Sequence, residues 1–470
     1  MSSVSALNSL LSSSTSSSGI DLSSILQAAY GASSSGIDVT SAVNAAITAA
    51  RAPETAWQNE ETTLQSQTTA LTALQTDATN LDDDVQNLNS VVGPLSARTV
   101  SSSNSNLVTA SAASGSTMGS HDVVVNNLAT TASWTTGVFA SSSTTLPAGS
   151  FTISTGSGGT ATITTDGTET LSDVASEINN ANVGVTANVV TDASGSRLAI
   201  IANSSGAAAN FTVATATTGF GLSQAVTGIN ASLTVDGISL SSATNTVSGA
   251  IPGVTLNLLG AAPGTDVSLS VAPDTSQATT AINQLVTDYN QLITDLNTQF
   301  TFNGTSEGVL ASDSVVRNLQ SEVLSALGYT YTPTSGSTTV GNLTALGISV
   351  NDDGTMTVDS GTLQNALQSN FGDVQSFFQG TSMNGFANSL DQTLTSFVSP
   401  GNGAFTVDLQ SISSQNTDLQ NTISNFETNY ITPLQAQLQS EYSQAEILLQ
   451  QLPSEMQQIN TELGYNNSQS

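Results

Sequence analysis

Cysteine is absent from the 470-residue chain, and so is lysine. Without cysteine there is no disulfide framework and no thiolate metal site, so the fold has to hold unstapled in any redox compartment. Without lysine there is no Walker-type phosphate loop. The basic residues are four arginines, Arg51, Arg98, Arg197 and Arg317, set against 35 acidic residues for a net charge of −31. Such a chain repels phosphate backbones and anionic lipid, which argues against nucleic-acid binding. Charged residues make up only 8% of the chain, so Ser, Thr, Asn, Gln and Gly must cover most of the surface. Aromatics are 5%, too few to favour a sugar-binding cleft. No run approaches the ~18 apolar residues of a membrane span. Met1 to Ser18 has neither the basic region nor the apolar core of a secretory signal. The expected place is the cytoplasm, or outside the cell by a route that cleaves nothing.

What the chain does have is a long apolar stripe. From Leu71 the residues Leu74, Ala78, Leu81, Val85, Leu88, Val92 and Leu95 follow in steps of 3 and 4. That is an a/d seam, the pattern of a helix laid along another helix. The positions between are Gln, Thr, Asn and Asp, so only one stripe seeks burial. The best match for a partner runs from Leu409 to Leu463, through Leu419, Ile423, Phe426, Leu434, Leu438, Leu449 and Leu452, with a stutter near Leu438. The expectation is that these two seams pack on each other. Pro53 interrupts a helix or starts one, and Gly93-Pro94 reads as a stop. Thr432-Pro433 reads as an N-cap with a first-turn proline that divides the last helical region in two. Pro453 is placed to kink the final piece.

Between the helical ends the period changes to two. Strands are expected at 121–128, 151–154, 160–164, 183–190, 197–202, 211–214, 232–235, 238–240, 254–258 and 267–271. One helix interrupts them at Leu171, Val174 and Ile178, opened by Thr170 with Asp173 in capping-box spacing. Asp166-Gly167 and Asp236-Gly237 read as hairpin turns. Helix returns at 275–296 and 312–327, followed by a hairpin about Asp352-Asp353-Gly354. The fold class is α+β: a coiled-coil leg built from both termini, with two inserted β-rich heads.

Candidates for chemistry are few. His121 is the only histidine and lies mid-strand beside Asp122, with no nucleophile motif near it. Asn351-Asp352-Asp353-Gly354 lacks the twelve-residue calcium loop and its closing glutamate, so it reads as a turn. Asp82-Asp83-Asp84 reads as a solvent-facing helix surface. Trp57 and Trp134 read as packing residues. No catalytic, metal or cofactor site is expected.

Several short motifs fall in one order. Ser35-Gly36-Ile37-Asp38-Val39 repeats an earlier Gly19-Ile20-Asp21 and opens a helix ending in Ala50-Arg51-Ala52-Pro53. Gly119-Ser120-His121-Asp122-Val123, Val235-Asp236-Gly237, Ile251-Pro252-Gly253-Val254, Ile282 to Asn290, Gly308-Val309-Leu310 and Leu346-Gly347-Ile348 follow. Together they resemble the bacterial flagellar hook-associated protein 2 family, the filament cap family, over nearly the whole chain. An aromatic usually precedes the strand where His121 stands, and the Gly-Ile-Asp motif is doubled.

The resemblance implies a terminal leg (residues 1–36 and 432–470) and a second helical leg with a hairpin (37–100 and 274–431). It implies an inner β head (101–142 and 229–273) and an outer α/β head (143–228). It further implies a ring of about five copies, in keeping with closed oligomer symmetry. That ring would sit at the flagellum tip, where it promotes polymerisation of exported flagellin and prevents its loss. The implied partners are flagellin, the filament end or hook–filament junction, further copies of the chain and an export chaperone, with no membrane insertion. Helix pairing and assembly would fall to Leu71, Leu74, Leu81, Leu88, Leu419, Ile423, Phe426, Leu438, Leu449 and Leu452. Adhesion through exposed heads is compatible with that role. The alternatives are a flagellin-like axial protein, or a secreted adhesin for mucin or glycan.

Overall fold

The computed structural model describes residues 39–462 apart from 157, 217–218, 302–307, 334–335, 337 and 381–383. The doubled Gly-Ile-Asp motifs, with Gly36, Ile37 and Asp38, lie outside the described residues.

The chain enters through α1 (Val39–Ala50) and turns at Arg51 into α2 (Ala52–Asn89). Pro53 stands in the first turn of α2, where its missing N–H costs no hydrogen bond. Leu71, Leu74, Ala78, Leu81, Val85 and Leu88 are all buried, as the seam requires. Val92 is exposed, because the helix ends at Asn89 and the heptad stops with it.

Two β units follow. The inner one is a sandwich. Its five-stranded sheet has the order β1 (Arg98–Ser102), β15 (Val267–Pro273), β3 (Gly119–Asn127), β11 (Ala231–Val235), β12 (Ile238–Ser242). Its second sheet is β13 (Thr246–Ile251), β14 (Val254–Leu258), β2 (Val108–Ala112). Alternate residues such as Val123, Val125, Leu233, Leu256 and Leu269 fill the space between them. Asp236 and Gly237, both at positive φ, make the β11–β12 turn that their sequence foretells.

The outer unit leaves after β3 and returns before β11. It contains the sheet β10 (Ser223–Val226), β4 (Ser133–Thr135), β8 (Gly195–Ala202), β7 (Val185–Asp192) and the sheet β6 (Thr160–Thr165), β5 (Gly149–Thr155), β9 (Phe211–Thr215). Helix α3 (Leu171–Ala181) packs into the same core through Leu171, Val174 and Ile178. Its capping box is complete: Thr170 accepts from the Asp173 amide, and Asp173 accepts from the Thr170 amide. Asp166-Gly167 is not a hairpin turn, since it links β6 to this helix. The outer sheet also starts earlier than residue 143, because Ser133–Thr135 pairs with β8 and β10. Three residues with no apolar alternation give no strand signal in sequence.

The chain comes back along β15, which pairs with β1 from Arg98↔Pro273 to Ser102↔Leu269. Asp274 then caps α4 (Thr275–Phe300), accepting from the Ser276 and Gln277 amides. Helix α5 (Ser314–Ala326), the hairpin β16 (Ile348–Val350) and β17 (Met356–Val358), and helices α6 (Ser360–Ser369), α7 (Phe371–Gln379), α8 (Phe386–Val398), α9 (Ala404–Phe426) and α10 (Thr432–Glu462) complete the helical part.

The helical chain does not break at Thr432-Pro433. A π-turn over Glu427–Ile431 joins α9 to α10. A widened turn shifts the hydrogen-bond register, and it sits just where proline supplies no amide.

One large core serves the stalk. It joins the α2 seam to Ile282, Leu285, Tyr289, Leu292 and Leu296 of α4, and to Phe386, Leu390 and Leu394 of α8. Helix α2 is therefore enclosed by α4, α8 and α9. The pairing expected from sequence holds over only half of its length. Arg51 meets Glu427, Trp57 meets Phe426 and Glu61 meets Gln420, an antiparallel register. Ile423 is thus level with the first turns of α2. Leu81 lies roughly 35 Å further along at ~1.5 Å per residue, against α4 and α8 instead. A stripe states that a neighbour exists, and here three helices compete to be it.

Candidate functional site

Site residues from the seam separate into two groups. Leu71, Leu74, Leu81 and Leu88 are interior to the stalk. Leu419 and Ile423 are half-buried on α9, with Leu419 against the stalk core. Phe426 and Leu438 belong instead to a small separate core. There Ala42, Val43, Ala46 and Ile47 of α1 meet Ile431, Leu438 and Tyr442. Leu449 and Leu452 are half-buried on the distal part of α10. Beside them Ile447, Leu448, Met456 and Ile459 are exposed. The far end of α10 thus presents apolar side chains that no described neighbour covers.

The junction between the small core and the stalk carries both ion pairs found among the described residues of the helical part. Arg51 bonds Glu54 at 2.6 Å and Glu427 at 2.7 Å. Its guanidinium is held above its ordinary pKa, mainly by the bond to Glu427. Trp57 meets Phe426 edge to face at 5.1 Å, and Phe426 stacks on Tyr430 at 5.1 Å. Trp57 is a packing residue, as is Trp134, whose indole N–H donates to the Phe211 carbonyl.

Asp82-Asp83-Asp84 is not a solvent face. Asp82 is only 5% exposed and Asp84 is half-buried, leaving Asp83 outside. Three successive helical residues sweep about 200°, so they cannot share one face of a helix enclosed on three sides. Asp84 lies within hydrogen-bonding reach of Asp288, and Asp77 of Asp295, both on α4. Asp82 meets Asp391 of α8, and Asp408 of α9 meets Asp313 at the head of α5. Burial first, and the facing carboxyl second, push Asp84 up to about 7 and Asp77, Asp82 and Asp408 up to about 6.

No sequence reading singled out these pairs, though a signal existed. Asp77 and Asp84 are seven apart, as are Asp288 and Asp295, the spacing of two flanks on facing helices.

His121 Nδ1 is 2.7 Å from Asp236 Oδ2, and this bond is the main reason the Asp236 carboxyl sits low. Asp353 accepts from the amide and hydroxyl of Thr355, the behaviour of a turn. An open groove of about 1070 Å³ beside the hairpin is lined in part by Asn297, Gln320, Asp352 and Asp353. Among the described residues no group of three or more His, Asp or Glu is placed to hold a metal ion. No described helix is long and apolar enough to cross a membrane.

These features define a segmented scaffold: a helical stalk assembled from both ends of the chain, with β domains inserted between its helices. Residues 35–132 match the family described as flagellar hook-associated protein 2 N-terminus. Residues 228–454 match flagellar hook-associated protein 2 C-terminus, and residues 150–204 match the flagellin hook IN motif. The B-type flagellar hook-associated protein 2 of Pseudomonas aeruginosa is 28% identical over 367 residues, 71% of this chain and 74% of that protein. The crystal structure of the D1-D2-D3 domains of the Escherichia coli flagellar cap protein FliD aligns with a TM-score of 0.58 at 26% identity. That alignment covers 73% of this chain and 99% of the other. The chain belongs to the flagellar hook-associated protein 2 family, a family named for its place on the flagellum and not for a reaction.

Proposed function

We propose that this protein is the cap at the distal tip of a flagellar filament, where it promotes polymerisation of exported flagellin and prevents its loss. The carrying observation is that the two halves of the chain, each with its helices and its share of the inner head, match the two parts of one family, in order, around the inserted outer head. The uncovered apolar side chains of distal α10 support an engaging role for the legs, since stripes of that kind seek a neighbouring chain. The cap acts as a ring of copies, with the filament end or hook–filament junction below it and an export chaperone before secretion.

We assign the units as terminal leg (1–50 and 432–470), stalk (51–100 and 274–431), inner head (101–132 and 229–273) and outer head (133–228). Assembly contacts fall to the exposed part of α10. Leu71, Leu74, Leu81 and Leu88 serve by holding the stalk together.

The test is deletion of the gene, followed by measurement of flagellin in the medium and of filament length. Loss of flagellin to the medium, restored by the intact chain, is the expected result. Normal filaments in the deletion strain would overturn the reading. Electron microscopy of the purified protein separates the alternatives. Rings or stacked rings support a cap, filaments indicate a flagellin-like protein, and a monomer indicates a solitary adhesin.

A further inference from the structure

We propose that the four facing carboxyl pairs of the stalk are proton-sharing latches, which hold its helices together in acidic medium and let them loosen as the medium turns neutral to alkaline. Two of the pairs repeat at one heptad: Asp77 faces Asp295, and Asp84 faces Asp288, on antiparallel helices. The third, Asp82–Asp391, ties the same helix to α8, and the fourth, Asp408–Asp313, ties α9 to α5. In every pair one carboxyl oxygen is fully buried and meets no donor: Asp77 Oδ2, Asp82 Oδ1, Asp84 Oδ2 and Asp408 Oδ2. Asp82, more than nine-tenths buried, has one donor in Gln86, and that bond goes to its other oxygen.

The charged surroundings supply no counter-ion. On α2 the neighbour is Asp83, which adds to the repulsion at Asp82 and Asp84, while Asp288 adds to it at Asp77. On α5, Arg317 spends its guanidinium on the Ala311 carbonyl. Arg51 is held by Glu54 and Glu427. From α7, Asp373 is taken up by Thr339, and Gln379 donates to the Leu88 and Ser90 carbonyls. From α9, Gln420 meets Glu61. Among the described residues no ion pair reaches any of the eight carboxyls.

One proton per pair resolves this, because a carboxyl donates to a facing carboxylate in a strong, charge-assisted bond. Two charged carboxylates in the same place repel. An unfolded aspartate loses its proton near ~4. The folded pairs keep theirs to about 6 and 7. Between those limits the native state binds more protons than the unfolded state, so stability falls as pH rises. The contribution is fully present below about pH 4 and is lost as pH climbs through 6 to 7.

The experiment is thermal melting of the full chain at pH 5 and pH 8, at one ionic strength and without divalent cations. It uses wild type, the Asp77→Asn/Asp84→Asn double variant, and Glu60→Gln, which removes an exposed charge from the same helix. Wild type should melt roughly 5–10 °C lower at pH 8 than at pH 5. The double variant should lose most of that difference, and Glu60→Gln should keep it. Equal melting of wild type at both pH values would overturn the proposal, as would equal flattening by Glu60→Gln. A rise in the pH 8 melting temperature on adding magnesium or calcium would also overturn it, by assigning the pairs to a cation. A second measurement needs no variant: urea unfolding of wild type at pH 5.5 in an unbuffered cell should release about three protons. Release near zero would overturn it.

Discussion

The heads and the stalk satisfy their buried polar atoms in opposite ways. In the heads, asparagine amides grip a distant backbone residue from both ends. Asn245 accepts from the Ala129 amide and donates to its carbonyl, and Asn179 does the same with Ala187. Asn210 likewise accepts from the Gly228 amide and donates to its carbonyl. Every buried side-chain atom without a hydrogen-bond partner among the described residues lies instead in the helical part. Most are carboxylate oxygens, and one of those, Glu427 Oε2, is 2.7 Å from Arg51 in an ion pair. An amide carries donor and acceptor at any ordinary pH, whereas a carboxyl has a donor only while it holds a proton. These buried amide contacts of the heads are therefore indifferent to pH, and the buried carboxyls of the stalk are not.

The largest expected effect breaks the stalk and spares the heads. Leu81 is fully buried among three helices, and Leu81→Ala should cost about 3–5 kcal/mol. Melting followed at a helical wavelength should move down by many degrees, while proteolytic resistance of the heads persists. Simultaneous loss of both would show that the two regions fold as one unit.

Next comes a deletion in the other region. Asn245→Ala removes both bonds to Ala129 and leaves a buried amide unpaired, at about 1–3 kcal/mol. That loss should be the same at pH 5 and pH 8 by chemical denaturation. A pH-dependent loss would erase the contrast between heads and stalk.

Smaller again is coupling at the junction. Trp57→Ala and Phe426→Ala should be non-additive by about 0.5–1.5 kcal/mol, since the rings touch. Leu81→Ala with Ile423→Ala should be additive within about 0.5 kcal/mol, because no shared neighbour links them. Coupling of the second pair in a double-mutant cycle would restore the full-length pairing that the seam suggested.

The smallest effect is Gln420→Ala. It removes an exposed bond to Glu61 and should change stability by no more than about ±0.5 kcal/mol.

The seam itself was legible because burial on a helix leaves a period, and Leu71 to Leu88 kept it. The capping box at Thr170 and the turn at Asp236-Gly237 were legible because each is decided within four residues. The partner of the seam was not, since α4 and α8 also present stripes and nothing in a stripe encodes distance along the chain. Strands β1, β2 and β13 went unread: RTVSS, VTASA and TVSGAI are mostly small and polar, with only Val100, Val108, Val247 and Ile251 as larger apolar side chains reaching the core, too few to alternate visibly. The carboxyl pairs were hidden by a sound habit, which sends aspartates to solvent. Asp82 breaks that habit because it stands beside the seam where α8 packs, while Thr79, Asn80, Asp83, Gln86 and Asn87 keep the solvent face of α2.

The neck between heads and stalk has a mechanical consequence. The chain enters the heads on β1 and leaves on β15, and these strands run side by side for five residue pairs. The Asp274 amide then bonds the Ala97 carbonyl, closing the gap at the base. Entry and exit thus form one ribbon in place of two tethers, so the heads cannot swivel as a bead on a string does. A sideways load on them bends the ribbon and is delivered as opposite axial forces to α4, which follows β15 directly, and to α2, which reaches β1 through the short turn Pro94–Ser96. The stalk receives that load as sliding between two rods, and sliding by one turn would part Asp77 from Asp295 and Asp84 from Asp288 together.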